Sequence, residues 1–188
     1  MNTIAIFISG EGSNATRMLR EFQNSPDLRV QLVYSSKPNS GVEELCEKLG
    51  VSFVHLPWNE GSKLHLLGLC QKNGVQWIVL AGFLKLIPNA FLAAYSKKII
   101  NIHPSLLPKF GGKGMYGMHV HKAVVESGEQ NSGITIHYVD GAYDQGQIIQ
   151  QFSVAVLKED TPELLFDKVR LLEKSHFTKT VAEVILNQ

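Results

Sequence analysis

The chain has 188 residues, 44% hydrophobic and 19% charged, enough apolar material to bury a sizeable core within a single domain spanning residues 1–188. A formal net charge of +1 leaves no electrostatic footprint for nucleic acid or a membrane surface, so small-molecule partners are expected. The only two cysteines, Cys46 and Cys70, lie in helix-like stretches without metal-ligand or disulfide spacing and read as reduced packing residues.

No internal repeat or low-complexity linker interrupts the chain. It opens on "TIAIFIS", a strand over residues 3–9 with no basic n-region and an apolar run too short for a signal peptide or membrane span. A cytoplasmic location is expected. A helix over 14–23, a strand over 29–35, a helix over 41–49 and a short strand over 52–56 follow. A helix over 62–73, a strand over 77–81, a short helix over 89–95 and a strand over 98–103 complete the alternating part. Such alternation predicts an α/β fold, a mostly parallel sheet with helices on both faces. The pattern then changes. A helix over 118–127 precedes two strands with no helix between them, "GITIHYV" and "QIIQQFSVAV", expected to pair antiparallel at one edge. A long C-terminal helix over 161–186 opens with Thr161 as N-cap and Pro162 at its first position.

Ligands of such sheets bind beyond the carboxyl ends of the strands. The loop "SGEGSN" lies at one such end, with Gly10 and Gly12 before a helix start at Ser13-Asn14. Amides of a first helical turn lack internal partners and attract phosphate, and glycines let the backbone approach it. The spacing Gly10-x-Gly12-x-x-Ala15 satisfies a dinucleotide pattern, but the second strand ends in "YSSKPN" without the acidic residue that NAD requires. NADP, served by Ser36 and Lys37, stays open. Glu11 must point away from any bound anion, and a plain turn with Ser13 or Asn14 capping the helix is the alternative.

"NIHPSLLPKF" marks another strand end. Asn101 and His103 point to the same face of an extended strand, and Pro104, lacking an N–H, stops it. In "GITIHYVDGAYDQGQII", Asp144 reads either as a turn former or as the partner of His103. A carboxylate beside an imidazole favours the charged ring, which can then donate near neutral pH. His119 and His121 form an H-x-H pair that diverges at a helix start, so no metal is expected there. His137 is expected beside the site without a part in its chemistry, and His55, His65 and His176 as surface or core residues.

The segments "SGEGSN", "NIHPSLLPKF" and "GITIHYVDGAYDQG", in that order, resemble those of the phosphoribosylglycinamide formyltransferases. This is the folate-dependent glycinamide ribonucleotide transformylase family of purine biosynthesis, and the likeness covers essentially the whole chain. It implies a Rossmann-like, doubly wound fold. It also implies transfer of a formyl group from 10-formyltetrahydrofolate, as co-substrate, to the amine of glycinamide ribonucleotide. By the same resemblance Gly12, Ser13 and Asn14 bind the phosphoribosyl substrate and Glu173 contacts it. Leu84, Lys85, Leu86 and Ile87 line the folate pocket with Asn101, and Lys63 matches a basic residue on the folate side. His103 becomes the acid and Asp144 the residue that tunes it. Lys85 stands where the family often has arginine, Glu11 where it often has a neutral residue, and Gly141 where an acidic one is common. The segment 111–119 is longer than in many members.

The chemistry agrees. An amine attacking a formyl carbon generates a tetrahedral oxyanion, which preorganised donors stabilise. Asn101 offers an amide N–H and protonated His103 a charged one. No serine or cysteine nucleophile accompanies them, so direct transfer is expected. The rivals are a formyltetrahydrofolate hydrolase, another folate formyltransferase such as one acting on methionyl-tRNA, and a non-catalytic NADP or nucleotide-binding module. A monomer or homodimer is expected.

Overall fold

The computed structural model describes residues 1–38 and 41–188; Asn39, the last residue of "YSSKPN", lies outside them. In chain order the elements are β1 (Asn2–Ile8), α1 (Ser13–Phe22), β2 (Leu28–Ser35), α2 (Glu43–Leu49), β3 (Ser52–His55) and α3 (Glu60–Lys72). Then come β4 (Trp77–Leu80), α4 (Asn89–Ala94), β5 (Ile99–His103), α5 (Met118–Glu126), β6 (Asn131–Tyr138), β7 (Ile148–Ala155) and α6 (Pro162–Leu186). Every expected element is present, with its ends moved by no more than two residues. The shifts have local causes. Helix α3 begins early because the Asn59 side chain accepts from the amide of Ser62 and caps it. Thr161 caps α6 as expected, accepting from the amide of Leu164, with Pro162 behind it.

The seven strands form one sheet in the order β3-β2-β1-β4-β5-β6-β7. The pairs β3-β2, β2-β1, β1-β4 and β4-β5 are parallel, while β5-β6 and β6-β7 are antiparallel. The chain leaves β1 toward β2 on one side and returns to place β4 on the other. That reversal opens a crevice at the carboxyl ends of β1 and β4.

Strand periodicity divides the core. Ile4, Ile6 and Ile8 of β1 are fully buried against α1, α2, α5 and α6 on one face. Ala5 and Phe7 face α3 and α4 on the other, where Phe7 meets Tyr34, Phe83 and Phe91 edge-on at 5.3 to 5.8 Å. A parallel strand covered on both faces must be apolar throughout, which is why "TIAIFIS" carries no polar alternation.

Candidate active site

The loop after β1 leads into α1 through Gly12, whose φ of 76° is left-handed, and no side chain caps the helix. The expected cap by Ser13 or Asn14 is not formed, because both lie inside the first turn. Thr16 is the first amide to bond back, to the Gly12 carbonyl at 2.8 Å, so the turn before it offers amides to a ligand. A Cβ at Gly12 would approach Ile8 Cδ1 and Val42 Cγ2 at 3.0 Å, toward the core rather than the cavity. Gly12→Ala should therefore destabilise the fold by about 1–2 kcal/mol, through the left-handed backbone and this contact. A fall in melting temperature measures this, and a melt like wild type would show that the loop tolerates a side chain.

Asn101 and His103 stand at the end of β5, opposite His137 and Thr135 of β6. His103 is buried, and its Nδ1 lies 3.4 Å from Asp144 Oδ2. Its Nε2 is 2.8 Å from the carbonyl of Phe110, which can only accept, so Nε2 carries a proton. The neutral ring so protonated would turn a lone pair on Nδ1 toward a carboxylate; the imidazolium satisfies both partners. Burial alone would raise the Asp144 carboxyl. The imidazole of His103, through its hydrogen bond and its charge, and the amide of Gly112 outweigh it and hold the group well below the usual carboxylate range.

His137 does more than pack beside the site. Its Nδ1 donates to the Tyr138 carbonyl at 2.8 Å, which leaves Nε2 to accept from Asn101 Nδ2 at 3.0 Å. Nε2 also lies 3.7 Å from Asp144 Oδ1. This fixes the Asn101 amide and leaves its second N–H for a ligand.

These groups share one cavity of about 780 Å³. Gly12, Ser13, Asn14, Leu84, Asn101, His103, Asp144 and Glu173 all line it. Lys63, Lys85, Leu86 and Ile87, assigned to the folate side by resemblance, are not among the residues lining this cavity. Ile87 is 3% exposed within the core on the α3-α4 face, and Lys85 and Leu86 are exposed away from the cavity wall. The Lys63 ammonium pairs with Glu60 at 2.5 Å and lies 5.6 Å from the Trp58 ring centroid. Ser36, considered for NADP, instead bonds Ser9 Oγ at 2.8 Å through its own hydroxyl.

Helix α6 contributes more than Glu173. Phe166, Val169, Arg170 and Glu173 recur at helical spacing and line the cavity together. Burial raises the Glu173 carboxyl, partly offset by the amide of Asn14 at 3.1 Å and the charge of Arg170. His119 and His121 diverge as expected. His119 is exposed, whereas His121 is buried against the Phe166 ring and lines the cavity. Among the described residues no three His, Cys, Asp or Glu side chains group to hold a metal.

Burial first, and the charge of His103 second, lower His121 from 6.5 to about 4. A depressed histidine stabilises fully above its unfolded pKa, and the contribution is lost as pH falls through the folded one. Between pH 7 and 5 wild type should lose on the order of 2 kcal/mol through this ring, after allowance for its opening to the cavity. His121→Phe should flatten that slope in urea unfolding, and equal slopes would assign the loss to another group.

An uncapped helix start meets an amide, an imidazole and a carboxylate in one cavity of a doubly wound α/β sheet. A family model described as formyl transferase matches residues 2–181, and the chain belongs to that family. It is 40% identical over 188 residues to "Phosphoribosylglycinamide formyltransferase, chloroplastic" of Arabidopsis thaliana, covering 96% of this chain and 64% of that protein. The chain thus spans less than two thirds of the length of this plant relative. It is 32% identical to the phosphoribosylglycinamide formyltransferase of Bacillus subtilis, with 98% and 95% covered. The crystal structure of glycinamide ribonucleotide transformylase 1 from Geobacillus kaustophilus matches with a TM-score of 0.88 at 28% identity, covering 98% of each chain.

Proposed function

We infer that the chain transfers the formyl group of 10-formyltetrahydrofolate to the amine of glycinamide ribonucleotide, in purine biosynthesis. The observation that carries the reading is the meeting of the open α1 terminus and the Asn101-His103-Asp144 group in one cavity. The substrate phosphate sits on the amides of Gly12, Ser13 and Asn14, with Arg170 supplying a cation the sequence reading had not assigned. Glu173 orients the glycinamide end. The formyl folate enters past Leu84 and Asn101.

Attack by the amine gives a tetrahedral oxyanion. The free N–H of Asn101 and the charged ring of His103 stabilise it, and the oxyanion displaces the Phe110 carbonyl from Nε2 because a charged acceptor is the stronger one. Asp144 keeps the ring charged and relays the amine proton through water to N10 of the folate; the bond from N10 to the formyl carbon breaks as the oxyanion collapses, and tetrahydrofolate leaves. No covalent intermediate forms on the protein.

Labelled formyl supplied on the folate should appear on the ribonucleotide amine. Label released as formate, regardless of the amine, would make the protein a hydrolase. The tRNA reading predicts tight, salt-sensitive RNA binding, whereas a net charge of +1 predicts weak binding at physiological salt. Filter binding of tRNA decides between them. The names of the relatives lend the NADP module no support. We place the protein in the cytoplasm as a single domain, monomeric or dimeric. Both described cysteines are free and buried, which suits a reducing compartment, and no helix among the described residues is long and apolar enough to cross a membrane. The plant relatives are named as chloroplastic proteins.

A further inference from the structure

The segment that follows "NIHPSLLPK" opens on Phe110, Gly111 and Gly112, whose side chains take no part in the proposed reaction. Their backbone nevertheless touches both members of the acid pair. The carbonyl of Phe110 accepts from His103 Nε2 at 2.8 Å, and the amide of Gly112 donates to Asp144 Oδ2 at 2.9 Å. With His103 Nδ1 3.4 Å from the same Oδ2, the chain closes a ring of contacts: imidazole, carboxylate, amide, carbonyl and imidazole again.

We propose that the turn over residues 110–112 is a positioning element that holds His103 charged and Asp144 ionised before substrate arrives. The inference rests on the reading of His103 and Asp144 as the proton-handling pair. The Phe110 carbonyl rejects the neutral tautomer whose lone pair is on Nε2. The Asp144 carboxylate rejects the one whose lone pair is on Nδ1. Only the doubly protonated ring suits both, so carbonyl and carboxylate act jointly on one proton. The Gly112 amide in turn stabilises the carboxylate in its ionised form.

Two independent features show that the turn is built for this contact. Phe110 and Asp144, the residues that grip His103 from either side, both have left-handed backbones at φ 54° and 57°. An aspartate tolerates this conformation, but for a bulky residue such as Phe110 it is costly and persists where surrounding structure imposes it, often at working sites. Gly111, between the two bonding residues, permits the close approach. A Cβ there would lie 2.5 Å from Leu107 Cδ2 and 3.2 Å from Asp144 Cβ. A methyl there must push the Leu107 side chain aside and press on Asp144 Cβ, so the strain reaches the residue that carries the carboxylate.

The other titratable groups around the pair are His137, against Asp144, and His121, which faces His103 from α5. Tyr116, Tyr143, Glu11, Lys113, Arg170 and Glu173 belong to the same cavity wall. None of these bonds both partners, as the turn does.

Gly111→Ala is the test. Formyl transfer should show kcat reduced about tenfold with both KM values within about threefold, since a displaced acid pair is felt in the transition state rather than in binding. In an Asp144→Asn background the same change should add little, because the turn acts through that carboxylate. Imidazole nitrogen NMR should show fewer His103 rings carrying both protons at neutral pH. Gly112→Ala supplies a second arm if Gly111→Ala folds poorly: its methyl meets nothing within 4 Å, yet its φ of 96° forces the amide to shift. Unchanged kcat and ring spectrum in a folded variant, or a tenfold loss that multiplies with Asp144→Asn, would overturn the proposal. If wild type transfers no formyl group the reaction reading fails, while the ring spectra still decide the role of the turn.

Discussion

Asp144→Asn should lower turnover by a factor on the order of 10² or more while leaving the binding of both substrates little changed. The substitution keeps the shape of the side chain and removes the charge facing His103 Nδ1 at 3.4 Å. In wild type the carboxyl is held well below the usual range, so it is ionised throughout the neutral region. The variant ring loses the partner that demanded a proton on Nδ1, and fewer molecules carry the acid. His103→Ala should cost about as much, and the double variant little more, because groups acting as one unit are not additive. Steady-state kinetics of the three variants measure this. Losses that simply multiply would separate the two residues, and near-normal turnover in Asp144→Asn would return it to a loop former.

Asn101→Ala should rank beside it. Its amide keeps one N–H free, since His137 takes the other at 3.0 Å. Removing one donor from a comparable oxyanion site costs about 2.7–4 kcal/mol, or roughly 10²–10³ in kcat. His137→Phe should reproduce part of that loss by releasing the amide to rotate. An intact rate in Asn101→Ala would place oxyanion stabilisation elsewhere in the cavity.

The alternation of elements was readable because buried parallel strands such as "TIAIFIS" and amphipathic helices differ in period. Asn101 and His103 were readable for a related reason: a proline directly after two same-face polar residues marks a strand end. His137 was underrated because its contact with Asn101 depends on the antiparallel register of β5 and β6, which no local pattern specifies. Arg170 was missed although its spacing from Glu173 placed both on one face of α6; the signal was present and unused. The turn at Phe110 and Gly112 acts through backbone groups, and those leave no side-chain signature. Leu84, Lys85, Leu86 and Ile87 were assigned to the folate side by family resemblance, and Lys63 by its match to a basic residue there; of these only Leu84 lines the cavity that holds His103, while Ile87 is buried in the core and Lys63 pairs with Glu60.

Direct transfer between two ligands held in one cavity is the central claim, and a rapid-quench single turnover tests it most directly. Protein in excess is mixed with formyl-labelled 10-formyltetrahydrofolate and glycinamide ribonucleotide, and label is followed on folate, amine, protein and free formate. The account predicts that label passes from folate to amine without ever residing on the protein, and that it stays on the folate when the amine is omitted. Label trapped on the protein, or formate released at the same rate with and without the amine, would contradict it.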